Sequence, residues 1–399
     1  MITAAVAFLA VVLLVLTLQD AFEVMLLPRQ VIRRLRFVSF FYRGTWRAWS
    51  WLASLLPRNG QREHFLGLYG ALSMVLLFGI WMASLILGFG LLLWAAHVDA
   101  DTTPRPTLGS HLYMSGVTFF TVGYGDLVPQ TRVGRLISVL EAGTGLGFIA
   151  LVIGYLPVLY QLFSQREAHV IRLDGRAGSP PTALGLLQRH NNEDDIPQIS
   201  MLLRDWEIWG SELLESHLSY PMLAYYRSQH HDQSWLAALT AIMDCCALIL
   251  VGLEALPALQ ARMTFTMGRH VLVEMTQSFG VPPSRYTGGD RLAHEAFLQL
   301  ELELAEAGFK WNTADAEELL AALRATYEPL LDALAFYLIL PLQGWSAGDT
   351  AKDHWARGPR GTLAQRLVDE LSQPMAVGGS SDRAIDKDTR WRRLRSRLK

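Results

Sequence analysis

Residues 121–126 read Thr-Val-Gly-Tyr-Gly-Asp and lie between two long stretches poor in charge. The run suits one piece of chemistry, the replacement of an alkali ion's hydration shell by backbone oxygens. Thr121, Val122, Gly123 and Tyr124 can turn successive carbonyls to one side of the chain. Gly123 and Gly125 lack a Cβ and can take the positive φ that such a run requires. The Thr121 hydroxyl can add a further oxygen at the inner end. Oxygen ligands without thiolate or imidazole suit a hard monovalent cation such as K+. One strand of carbonyls cannot encircle an ion, and the motif occurs once. Four copies must therefore supply the ring, and a homotetramer is expected.

With TVGYGD in this setting, roughly residues 66–164 resemble the tetrameric potassium-channel superfamily, of the simple pore-loop kind. The resemblance implies an outer helix over 65–97, a pore helix over 109–120, a filter over 121–126 and an inner helix over 135–164. It implies K+ at Thr121, Val122, Gly123 and Tyr124 as the transported ion, with no cofactor. Tyr124 is then expected to pack against the pore helix, and Tyr113 to hydrogen-bond Asp126, which follows Gly125. Within Gly143-Thr144-Gly145-Leu146-Gly147 the resemblance implies a gating bend. Gly143 and Gly147 are the candidates, with close helix packing the alternative use of these glycines. Pro157 lacks an N–H and clashes with the preceding turn, so a kink near Ile153 is expected. Two positions depart from the family. Val117 stands where some members carry a carboxyl group, and Phe120 replaces a small residue or threonine. Both bear on filter inactivation rather than on selectivity. Glu141 reads as a partnered structural carboxylate, not an ion ligand.

These residues need a membrane scaffold, and the composition supplies one. Hydrophobic residues make up 51% of the 399 and charged residues 18%, a membrane-leaning balance in a chain long enough for two or three domains. Residues 2–18 are uncharged and can extend to Leu27; a retained transmembrane helix over 1–28 is expected, since no basic region precedes it as in a signal peptide. No Asp, Glu, Lys or Arg lies between Glu63 and Asp99, enough for a tilted span with Gly88 and Gly90 as bend points. A third span covers about Leu136 to Phe163.

Arg29, Arg33, Arg34, Arg36, Arg43, Arg47, Arg58 and Arg62 crowd the loop between the first two spans. Short basic loops stay cytoplasmic. The sequence thus predicts a multi-pass protein of the cell membrane, with N-terminus and filter outside and the C-terminal half cytoplasmic. Residues 29–64 mix those arginines with aromatics, as an interfacial helix among membrane lipids does. The arginines lie outside the spans, which argues against a voltage sensor, and no nucleic-acid partner is expected.

Residues 166–372 read as a cytosolic helical domain and 373–399 as a flexible basic tail. The fold class is all-α: a pore-loop ion-channel domain with an extra N-terminal transmembrane helix and an all-helical cytosolic domain. Candidate helices cover 181–190, 197–217, 221–230, 234–254, 257–279, 289–307 and 313–340, separated by Pro and Gly breakers. Trp235 to Glu254 is apolar apart from Thr240 and Asp244. A buried core helix is favoured over a fourth span because Asp244 sits mid-way. Asp244 then needs a partner, from Arg227 or Tyr225-Tyr226. These four residues, near His230 and His231, form a candidate ligand pocket for an unidentified small-molecule or ion regulator.

Glu193, Asp194 and Asp195 read as a helix N-cap rather than a calcium cluster. Cys245 and Cys246 read as buried thiols. Residues 165–399 hold 24 basic and 30 acidic side chains, although the last ten residues carry six of the basic ones and no acid. Ordinary solubility charge explains that acidity; enrichment of cations at a pore mouth is the sharper reading.

No nucleophile, acid–base pair or nucleotide-binding loop points to an enzyme. The function expected is a potassium-selective channel whose opening the helical domain tunes. A constitutively open pore whose helical domain only assembles the tetramer is one alternative. A potassium-uptake subunit is another, though such proteins carry four pore loops in one chain.

Overall fold

The computed structural model describes residues 2–26, 37–57, 60–97, 107–191, 196–229, 233–283 and 289–346. The expected basic tail, His230, His231, the 193–195 acids and Arg29 to Arg36 lie outside the described residues. The chain divides into two compact units, residues 1–165 with 215–227, and residues 166–214 with 228–399.

The first unit holds α1 (Ile2–Met25), α2 (Phe37–Ser54), α3 (Gly60–His97), α4 (Leu108–Phe119) and the greater part of α5 (Arg132–Ala177). Among the described residues, α1, α3 and α5 are long and apolar enough to cross a membrane. The α1–α3 pair is fastened by Trp81 Nε1, which donates to Asp20 at 2.9 Å. Gly88 and Gly90 do not break α3, which is continuous. They are notches instead. A Cβ at Gly88 would lie 2.7 Å from the Leu14 side chain, and one at Gly90 would lie 2.7 Å from that of Leu112. The missing side chains let α1 and α4 seat against α3.

The basic, aromatic segment forms α2 and packs one face on α3. Trp49 stacks on Phe65 with centroids 4.3 Å apart, and the Thr45 and Tyr69 hydroxyls meet at 2.9 Å. Phe40, Arg43, Arg47 and Trp51 occupy the exposed face.

The second unit is built from α6 (Ala183–Gln188), most of α7 (Ile196–Ser219), α8 (Trp235–Val251), α9 (Ala258–Phe279), α10 (His294–Glu306), α11 (Ala316–Arg324) and α12 (Glu328–Leu338). The stretch weighed as a fourth span is α8, and it is the core: every residue but Leu250 is buried. Gly268 of α9 admits the Met243 side chain.

Two expected helices are corrected. Of the helix expected over 221–230, the described residues 221–229 give only a 3-10 turn at Pro221–Tyr225. The 313–340 stretch is two helices, because Tyr327 leaves the helical region at φ −133 and Pro329 restarts the chain at a helix beginning, where its missing N–H costs nothing. The described residues contain one isolated bridge, Leu253 to Trp311, and are otherwise helices and connections.

Candidate functional site

The site begins with α4, which is too short to span and is capped by the Thr107 hydroxyl accepting from Ser110 N at 3.2 Å. Its C-terminal end hands the chain to the filter through backbone bonds. Phe120 N donates to Gly116 O at 3.0 Å, Thr121 N to Thr118 O at 3.0 Å, and Val122 N to Val117 O at 2.9 Å. From there φ is +57 at Thr121, +63 at Gly123 and +77 at Gly125, while Val122 and Tyr124 stay outside the positive region. The residue types point to the glycines but not to Thr121. A β-branched residue disfavours left-handed backbone by roughly 1–2 kcal/mol, and nothing in its identity signals the exception.

Thr121 through Asp126 are exposed on the single chain. Tyr124 is 72% exposed, so its own pore helix does not cover the ring. Tyr113 Oη donates to Asp126 Oδ2 at 3.1 Å, and Asp126 Oδ1 accepts from Leu127 N at 3.0 Å. The aspartate is thereby held between the pore helix and the loop leading to α5.

Behind α4 the inner helix approaches closely at one glycine. A Cβ at Gly145 would lie 2.2 Å from the Phe119 carbonyl oxygen, whereas one at Gly143 or Gly147 would meet nothing within 4 Å. The packing glycine is therefore the one passed over in favour of its neighbours. Helix α5 runs through Pro157 without interruption. One turn before Gly145, Glu141 is fully buried and hydrogen-bonds the Ser115 hydroxyl of α4. Ser115 Oγ also donates to Ile86 O of α3 at 2.8 Å.

Of the four residues expected to line a ligand pocket, Tyr225, Tyr226 and Arg227 fall in the first unit and Asp244 in the second, each with its own partners. Tyr225 stacks on Tyr42 at 5.7 Å and meets Trp46 at 5.1 Å and Tyr69 at 5.2 Å. Tyr226 lies against Gly70, and Arg227 pairs with Glu63 at 3.3 Å. All three belong to the first unit.

Asp244 belongs to the second unit and is bound by Arg291, in two bonds of 2.9 Å, and by the Tyr327 hydroxyl at 2.7 Å. Sequence proximity suggested Arg227, but the guanidinium comes from 47 residues downstream. Burial pushes the Tyr327 hydroxyl well above its ordinary pKa, and the Asp244 charge adds to the effect. Among the described residues no three His, Cys, Asp or Glu side chains gather as a metal site.

A family profile described as "Ion channel" matches residues 70–161, the stretch from α3 through α4 and the filter to α5. Residues 70–161 belong to the pore-loop potassium-channel superfamily. A voltage-gated potassium channel of Aeropyrum pernix is 26% identical over 108 residues, 27% of this chain and 33% of its own length. A putative potassium channel protein of Rhodopseudomonas palustris, RPA4233, is 29% identical over 108 residues, 27% of this chain and 25% of its own. A longer similarity, 23% identity over 211 residues, is to the uncharacterized membrane protein YdjJ of Bacillus subtilis and covers 52% of this chain and 60% of that protein. The chain thus spans from a quarter to three fifths of these relatives' lengths. No solved structure matches it.

Proposed function

We propose that four copies of this chain form a potassium-selective channel, with the carbonyls of Thr121, Val122, Gly123 and Tyr124 as the ion's ligands. The observation that carries the reading is the sign of φ along the filter, positive at every second residue from Thr121 to Gly125. Such alternation aligns successive peptide planes, carbonyls to one side and N–H groups to the other. The aligned oxygens then substitute for water around the ion. Helix α4 adds the negative end of its dipole beside the filter. The exposed Tyr124 ring and the exposed apolar residues of α5, such as Leu136, Val139 and Leu146, fit burial against other copies and lipid.

The basic first loop directs the N-terminus and filter outward and the second unit to the cytoplasm. Helix α5 continues past residue 165 without a break, which supplies a mechanical route by which the second unit tunes the pore. Gly143 and Gly147, free of packing duty within the chain, are the hinge candidates together with Pro157. Purified full-length protein in liposomes tests the reading. The expected result is potassium flux well above sodium flux, with native mass spectrometry giving a mass of four chains. A monomer or dimer without selective flux contradicts it.

A further inference from the structure

Ser115 makes two hydrogen bonds with one proton. Its hydroxyl lies 2.8 Å from the Ile86 carbonyl and also bonds Glu141 Oε1. A backbone carbonyl only accepts, so the Ser115 proton belongs to Ile86 O, and the second bond is complete only if the carboxyl group donates to Ser115. The other carboxyl oxygen, Glu141 Oε2, is buried and has no hydrogen-bond partner. An ionised group there would be a bare charge among apolar side chains, which costs far more than a neutral acid.

Among the described residues, no cation bonds Glu141 Oε2 from the packed elements. Helix α3 has no Asp, Glu, Lys or Arg after Glu63, and the basic residues of α5 nearest to Glu141 are Arg135 and Arg166. The titratable group of α4 on this side is His111, one turn before Ser115, with Nδ1 2.9 Å from the Thr107 carbonyl.

We infer that Glu141 is a positioning residue for the filter: as a neutral acid it donates to Ser115, and the chain Glu141–Ser115–Ile86 clasps inner, pore and outer helices together behind the ion path. The inference rests on the channel reading above. Loss of the Glu141 proton removes the donor that completes the bond to Ser115 and leaves a charge beside the pore helix. The clasp then opens, and α4, which carries the filter at its C-terminal end, loses its anchor. Glutamine preserves the donor without the proton equilibrium, and alanine removes both.

The test is potassium flux through the full chain in liposomes over a rising pH series. Wild type is expected to lose flux as pH rises. Glu141→Gln should hold its flux across the series, and Ser115→Ala should conduct poorly at every pH. A wild-type profile superimposable on that of Glu141→Gln overturns the inference. Infrared spectroscopy keeps the two readings apart. A protonated-carboxyl band present in wild type and absent in Glu141→Gln is expected whether or not the protein conducts. Its absence from wild type at neutral pH also overturns the inference, whereas the band without any potassium flux counts against the channel reading alone.

Discussion

The apolar runs of α5 and α8 each carry one acid, Glu141 near the start of the first and Asp244 mid-way along the second, and the molecule treats them in opposite ways. Asp244 of α8 is 1% exposed and fully supplied, with two bonds from Arg291 and one from Tyr327. Arg291 is itself braced by Glu328 at 3.0 Å and the Gln343 carbonyl at 3.0 Å, with the Trp345 ring 5.8 Å from its carbon. Burial alone would make Arg291 easier to deprotonate; Asp244, with Glu328 and Tyr327 adding to it, more than offsets this and holds it charged. Glu141 of α5 has one hydroxyl and one unmatched oxygen. The α8 surroundings form a core completed within one chain. Those of α5 stay open, with Val139 69% exposed. An acid in an apolar helix can therefore mark a finished ionic strut or a neutral clasp, and donors from elsewhere in the chain decide which.

That contrast can be broken most forcefully at α8. Arg291→Ala leaves Asp244 buried without its counter-charge, and removing one partner of such a pair costs about 3–5 kcal/mol. Denaturant titration followed by tryptophan fluorescence should show the transition of the second unit at much lower denaturant; an unmoved midpoint would contradict the strut. Next comes Gly145→Ala. Its Cβ collides with the Phe119 backbone, and overpacking of this kind costs about 1–3 kcal/mol. Gly143→Ala, with open space around it, should instead gain about 1 kcal/mol of helix stability. Melting curves in detergent that fail to separate the two variants would dissolve the distinction between packing and free glycines.

A smaller effect is expected at the α8 thiols. Burial, with Asp244 nearby, pushes the Cys245 thiol up to about 12. It stays protonated at neutral pH, and maleimide should label Cys245 and Cys246 only after unfolding. Prompt labelling of the native protein would show that the second-unit core is open. Smallest is Tyr113→Phe, which removes the 3.1 Å bond to Asp126 and should hasten the decline of conduction during sustained flux; an unchanged time course counts against a supporting role.

The elements that position the filter are legible in the sequence because their signals are local. Apolar runs, breakers and TVGYGD predict three long apolar helices, a short α4 and a following loop, and the structure has these. What sequence reading misses depends on close approach between distant residues. Gly145 rather than Gly143 faces Phe119, and Gly88 and Gly90 are notches for Leu14 and Leu112 rather than bends. Neither the left-handed Thr121 nor the Arg291 partner of Asp244 is encoded in neighbouring residue types. The partners of the residues expected to line a ligand pocket are likewise non-local: Tyr225 meets Tyr42, Trp46 and Tyr69, Tyr226 meets Phe163 and Arg227 pairs with Glu63, while Asp244 is bound by Arg291 and Tyr327.

The central claim is that filter carbonyls, aligned by left-handed backbone at Gly123, choose potassium. Relative potassium and sodium flux through liposomes holding wild-type or Gly123→Ala protein tests it directly. The account predicts a strong potassium preference in wild type and its loss in the variant, because a Cβ resists φ near +63. A wild type indifferent between the two ions, or a variant as selective as wild type, would contradict it.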